Sequence, residues 1–101
     1  MTVFVDNARI EWRGNIWFHL VADTAEELHE FARKLGLKRN WFQGSASYPH
    51  YDISATLRAT ALRIGAVEAS RTQMIEAAKA MKRQLNRTCA EPHSLQLLLI
   101  F

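Results

Sequence analysis

From Asn15 to Asp23 the chain reads Asn-Ile-Trp-Phe-His-Leu-Val-Ala-Asp, a pattern of period two. In an extended strand Ile16, Phe18, Leu20 and Ala22 fall on one face, and Trp17, His19, Val21 and Asp23 on the other. The first face is wholly apolar and needs a core. The second mixes apolar with ionisable residues, as a face does when partly covered and partly open to a cleft. The period then changes at once. Leu28, Phe31, Ala32 and Leu35 follow the i, i+3, i+4, i+7 spacing of a buried helical stripe. Asp23 or Thr24 caps this helix, since each has a glutamate three residues later (Glu26, Glu27). Gly36 ends it in the left-handed conformation, and Leu37 folds back on the last turn. A half-buried strand leading straight into an amphipathic helix predicts an α+β fold. The expectation is a single small domain, a three- to four-stranded sheet with about three helices.

The remaining segments fit that frame. Thr2 to Asp6 reads as a first strand, with a turn at Asp6-Asn7. Arg9 to Arg13 is ambiguous; Gly14-Asn15 marks another turn, so a hairpin is expected between the flanking runs. Trp41-Phe42-Gln43 reads as a short strand, and Gly44 to Ser47 as a flexible link. Ser54 caps a second helix with Leu57, Ala61 and Ile64 inward, ended by Gly65. Ala66 to Ala69 is a very short strand. Ser70, with Gln73 three residues on, opens a third helix with Met74, Ala77, Ala78, Met81 and Leu85 inward. The domain is expected to span 1–86. Residues 87–101 form a linker and an apolar tail, either an added strand or a segment packing on a partner copy.

A chain of 101 residues supports one modest core. One cysteine, Cys89, leaves no internal disulfide and suits a reducing compartment. The start lacks a signal-peptide pattern, and no run approaches the ~20 apolar residues that cross a bilayer. A cytoplasmic protein without a membrane partner is expected. Net charge is +3, unevenly placed. Residues 1–53 carry six Lys and Arg against seven Asp and Glu, or −1; residues 54–101 carry seven against three, or +4. A basic half is either a solvated face or an attraction for phosphate-bearing partners, small molecule or nucleic acid.

The densest chemistry lies between Trp41 and Ser54. His50-Tyr51-Asp52 puts an imidazole, a phenol and a carboxylate just before a helix start, where unsatisfied N–H groups favour an anion. Ser54 stands at that start, and Arg58 one turn in could fork onto the same anion. The plainer reading is a capped turn with Tyr51 packed and His50 exposed. His19 and Asp23 share a strand face; with Asp6, His29, His50 and Asp52 they form a set that could converge on a divalent metal and activate water. No His-Glu-x-x-His motif or cysteine pair supports that by spacing. Trp12, Trp17, Trp41, Phe42, Tyr48 and Tyr51 could stack on bases or simply build core. No glycine-rich phosphate loop, dinucleotide fingerprint or nucleophile elbow is present.

Val3-Phe4-Val5-Asp6, His19 with Asp23, Glu27-Leu28-His29, Trp41-Phe42-Gln43, His50-Tyr51-Asp52, Arg58 and Gly65-Ala66-Val67 occur in that order. Residues 1–75 or so thereby resemble a family of small bacterial and phage proteins of unknown function. That family has a Val-Tyr-Val-Asp-type first strand, a Trp-Phe-Gln box and a His-Tyr-Asp box. Phe4 stands where tyrosine is usual, Asn7 where a second aspartate is common, and the tail beyond about Arg87 departs from the pattern. The resemblance implies a cytoplasmic or phage-encoded accessory protein. It also implies that Asp6, His19, Asp23, His29, Gln43, His50, Asp52 and Arg58 belong to one site.

The leading functional expectation is binding, with or without hydrolysis, of a phosphate-bearing ligand such as a nucleotide or nucleic acid. His50 and Asp52 would be the catalytic pair, Arg58 and Ser54 would hold phosphate, and Tyr51 or Trp41 would stack on a base. The alternatives are a metal-dependent phosphodiesterase, or a non-enzymatic interaction protein acting through its aromatics and tail as a homodimer.

Overall fold

The computed structural model describes residues 2–88; the apolar tail expected beyond them lies outside the described residues. Strands β1 (Val3–Val5), β2 (Ile10–Trp12) and β3 (Asn15–Ala22) precede helix α1 (Ala25–Lys34). A 3-10 turn at Arg39–Trp41 leads to strand β4 (Tyr51–Ser54), helix α2 (Ala55–Arg63), strand β5 (Val67–Glu68) and helix α3 (Arg71–Thr88). Among the described residues the architecture is α+β with three helices, and the mixed sheet has five strands, one more than expected.

The centre of the sheet is β3. Leu20 is matched with both Val5 and Tyr51, and Trp17 with both Ile10 and Ser54. A strand residue has two lateral neighbours, so β1 and β2 share one side of β3 and β4 takes the other. β1 and β2 are thus two pieces of one antiparallel arm, interrupted by residues 6–9. The hairpin closes at Arg13 (φ 48°) and Gly14 (φ 77°), both left-handed as a two-residue turn between right-twisted strands requires. β5 pairs parallel to β1.

By the alternation of side chains, Phe18, Leu20 and Ala22 share a face with Tyr51, Ile53, Val3 and Val5, all of them buried. α1 and α2 cover this face. Leu28 and Ala32 are buried in the core, and the Arg58 guanidinium lies 4.9 Å over the Phe18 ring. α1 starts and stops as its sequence dictates. The Glu27 N–H donates to Thr24 Oγ1, Gly36 has φ 82°, and the Leu37 N–H returns to the Ala32 carbonyl at 2.9 Å. Val21, on the opposite face, lines a cleft with Met74, Ile75 and Ala78 of α3, whose Met81 is fully buried.

Two local expectations need correction. Trp41 ends a 3-10 turn, and Gln43 makes only a single bridge, to His50, so no Trp-Phe-Gln strand forms. Ile64 is 44% exposed, while Leu62 packs against the core in its place with Leu57.

Candidate functional site

Where the β1–β2 arm breaks, Asp6 replaces the missing strand with its side chain. Its own N–H still donates to the His19 carbonyl. Its Oδ1 accepts the His19 backbone N–H at 2.8 Å, and its Oδ2 accepts from His19 Nδ1 at 2.6 Å. Burial alone would raise the Asp6 carboxyl. The bonds from the His19 ring and backbone, with the ring's charge, outweigh it and hold Asp6 below the ordinary carboxylate value. Arg58 reaches from α2 to brace the same turn: its Nε donates to the Asp6 carbonyl at 2.8 Å and its Nη2 to Glu68 Oε1 at 2.8 Å.

Register brings the other partners. His19 is matched with Asp52 across β3 and β4, so both project from the face opposite Leu20 and Tyr51. His50 stands two residues before Asp52 on the same extended segment and shares its face. The Gln43 N–H holds the His50 carbonyl at 2.8 Å, and His50 Nδ1 donates to the Tyr48 carbonyl at 2.6 Å. His50 Nε2 then lies 3.2 Å from Asp52 Oδ1, and His19 Nε2 lies 3.9 Å from the same oxygen. The two imidazole rings meet edge to face with centroids 4.9 Å apart. Burial would lower His50, but the bond to Asp52, the Tyr48 carbonyl and the charges of Asp52 and Asp6 raise it above its ordinary value. The His50 bond holds Asp52 low, against partial burial and with help from the charges of His50 and His19.

This cluster opens on a cleft of about 730 Å³ between α3 and the sheet. Asp6, His19 and His50 line it, with Tyr48 beside them and Val21, Met74, Ile75 and Ala78 as apolar wall. The start of α3 also faces in, through Ser70 and Arg71. Ser70 and Gln73 form a reciprocal cap, with bonds of 2.9 and 3.2 Å. The chain reaches this position because the Ala69 N–H donates to the Val5 carbonyl, placing the helix start beside the end of β1 and hence beside Asp6. Tyr48 is one of the aromatics that the sequence offers for stacking, whereas Ser70 and Arg71 are not among the residues the sequence assigns to a site. The available signal is the Ser70 cap with Arg71 directly after it, just past a segment that pairs with the first strand.

The remaining expected site residues lie apart from the cluster. Asp23 directly follows β3, roughly 13 Å along the chain from His19, and accepts the Thr2 N–H at 2.9 Å. His29 and Tyr51 lie on the other side of the sheet, joined at 2.9 Å between Nδ1 and the phenol, with the Phe42 ring 4.6 Å from the imidazole. Burial, then the charge of Arg39, lowers His29; burial raises Tyr51. Among the described residues His29 Nε2 is buried without a hydrogen-bond partner. Trp41 is exposed, with Lys38 Nζ 5.7 Å from its ring centre. Gln43 contributes its backbone, Ser54 caps α2 by accepting the Leu57 N–H, and Arg58 is engaged behind Asp6. The structure therefore brings together Asp6, His19, His50 and Asp52.

Among the described residues no helix is long and apolar enough to cross a membrane. No curated protein and no solved structure matches the chain. Residues 3–81 match a family described as a protein of unknown function, a span that takes in the cluster, the cleft and most of α3. The chain belongs to that family, DUF4031.

Proposed function

We propose that this protein binds a small phosphate-bearing molecule, such as a nucleotide, in the cleft between α3 and the His19 face of the sheet, and hydrolyses its phosphate ester at the His19–His50–Asp52 cluster. One observation carries this reading. Two imidazoles and a carboxylate, His19 from β3 and His50 with Asp52 from the segment at β4, meet beside a cleft of about 730 Å³ that both histidines line and whose other walls are largely apolar. That volume suits a small ligand, and a few convergent polar groups in an apolar cleft are the usual form of such sites.

Phosphate is favoured by what surrounds the cluster. Arg71 and the first turn of α3 supply positive potential at the cleft, and residues 54–101 carry a net +4. In this reading Arg71 takes the phosphate-holding part expected of Arg58, and Tyr48 the stacking part expected of Tyr51. Met74, Ile75 and Ala78 offer an apolar wall to the rest of the ligand. A phosphorylated metabolite and a lone cysteine both fit a cytoplasmic setting.

A thermal-shift screen with nucleotides, cyclic dinucleotides, oligonucleotides and inorganic phosphate tests the proposal. A ligand at a hundred times its Kd adds about 2.7 kcal/mol, a shift of several degrees for a domain this size. His50→Ala and Arg71→Ala should each abolish the shift while leaving the fold intact by circular dichroism. A flat screen would reject the reading.

A second reading rests on the sheet edge. β2 ends the strand order on its side, and Trp12 and Ile10 are 58% and 45% exposed there. Edge pairing with a second copy would cover them, giving a homodimer that acts by protein–protein contact. Light scattering would then report a dimer in the native protein and a monomer in Trp12→Lys.

A further inference from the structure

We infer that His19, His50 and Asp52 bind a divalent transition-metal ion of the zinc type, with an open coordination position facing the cleft. This rests on the reading of the cluster as the head of the ligand site, and it supplies the agent that would hold phosphate and activate water. One potential ligand atom from each residue lies within 4.8 Å of the others. With bonds of about 2.0–2.2 Å, tetrahedral ligand atoms stand about 3.4 Å apart; the separations from Asp52 Oδ1 are 3.2 Å to His50 and 3.9 Å to His19. The widest separation is at most 4.8 Å, so the ligand atoms draw together by up to about 1.4 Å when the set closes on an ion.

The hydrogen bonds behind the cluster point the same way. His19 Nδ1 is committed to the Asp6 carboxylate and His50 Nδ1 to the Tyr48 carbonyl, each at 2.6 Å. Both acceptors fix the proton on Nδ1, so a neutral ring of either residue presents the Nε2 lone pair. Two such lone pairs then face an oxygen of Asp52, which is also an acceptor when ionised. With both rings neutral, three electron donors meet with no hydrogen among them. A proton on His50 relieves only the His50–Asp52 contact. A divalent cation satisfies all three at once, and a carboxylate or carbonyl behind each ligating histidine is what metal sites use to orient and strengthen the ring. Imidazole and carboxylate donors, without thiolate, suit zinc, iron(II) or manganese. Three protein ligands leave room for water, whose pKa such an ion brings to about 7. The water would give up a proton and attack phosphorus, while the P–O bond to the leaving alcohol breaks and that oxygen takes up a proton.

The test is calorimetric titration of the EDTA-treated full chain with Zn²⁺, with Co²⁺ absorption as a second readout. A Cys89→Ser, His93→Ala background removes donors in the tail. The expected result is one ion per chain, with Co²⁺ visible bands typical of low-symmetry coordination. Asp52→Asn and His50→Gln should each weaken binding at least 100-fold. Asp6→Asn, which touches no metal, should weaken it 10- to 100-fold at unchanged stoichiometry. Circular dichroism checks each fold; should one variant unfold, the other decides the question together with the Co²⁺ spectrum of the background chain. No binding, or binding unchanged in Asp52→Asn and His50→Gln, overturns the inference. Repeating the ligand screen with zinc and with EDTA separates it from the proposed function. Ligand binding that ignores EDTA removes the metal and keeps the phosphate site; zinc binding with a flat ligand screen does the reverse.

Discussion

Arg58 Nε and the Asp6 carbonyl oxygen are joined by a 2.8 Å hydrogen bond that ties α2 to the break in the β1–β2 arm. The Asp6 carboxylate, on the same residue, grips His19 at its backbone N–H and at Nδ1. Arg58 thus stands one residue behind the cluster, with its guanidinium over Phe18 and its second arm on Glu68. A residue so engaged braces the site from behind.

Arg58→Ala should consequently destabilise the fold by about 1–3 kcal/mol, the usual cost of removing a half-buried, charge-assisted bond, read as a lower urea midpoint. Arg58→Lys should recover little, since an ammonium cannot serve Asp6 and Glu68 with a planar fork. A loss of phosphate binding with no change in midpoint would instead make Arg58 a direct ligand clamp.

The histidines set opposite pH dependences. The folded-state pKa of His29 lies below its ordinary 6.5, through burial and then Arg39, so its contribution is present above pH 6.5 and is lost as pH falls through the lowered value. The folded pKa of His50 is raised; its contribution is complete below 6.5 and is lost as pH rises through the raised value. Urea midpoints from pH 5 to 8 should show a shallower acid loss in His29→Gln than in wild type. In His50→Gln the acid loss should be steeper. Identical slopes in all three proteins would contradict these assignments.

Asp6 and Asp52 both titrate below the ordinary 3.8, so their contributions hold above that pH and disappear as acid reaches the lowered values. Asp6→Asn should flatten acid unfolding in that window. Circular dichroism between pH 2 and 5 reads it directly.

Leu28 is fully buried between α1 and the sheet, and Leu28→Ala should cost about 2–5 kcal/mol. Gly36→Ala forces a side chain into φ 82° and should cost about 1 kcal/mol, with asparagine recovering part of it. Chemical denaturation at pH 7 measures both.

Much of this fold is written in local signals. Thr24 and Ser70 announce their helices by capping, Gly36 announces an end, and the alternation from Ile16 to Ala22 announces the central strand. β4 escapes such reading: Tyr51-Asp52-Ile53-Ser54 is four residues long and runs straight into a helix that Ser54 caps, so the cap signal hides the strand. β2 is ambiguous in sequence because all three of its residues are exposed and its arm is broken. The candidate site is legible as a set of residue types but not as a geometry. His19, His50 and Asp52 meet through strand register, whereas Asp23 and His29, equally plausible by composition, are carried off along the strand or through the sheet. Arg71 enters the cleft because α3 crosses the sheet beside Asp6, a placement that the Ser70 cap marks as a helix start but does not locate.

The pairing of His19 with Asp52 also fixes when the cluster can exist. The β1–β2–β3 arm and α1 draw on neighbouring residues, so their contacts close short loops. β4 must close the whole span that contains α1 and the 3-10 turn, a slower step with a larger entropy loss. A chain that has formed its hairpin and first helix therefore has a hydrophobic face but no cluster. A one-residue slip as β4 docks would turn Asp52 toward Phe18 and Leu20, and Tyr51 toward solvent. The apolar face accepts only one alignment, so the drive to bury Tyr51 and Ile53 also sets His50 and Asp52 against His19. The cluster is therefore assembled only when β4 docks on β3 in its native register.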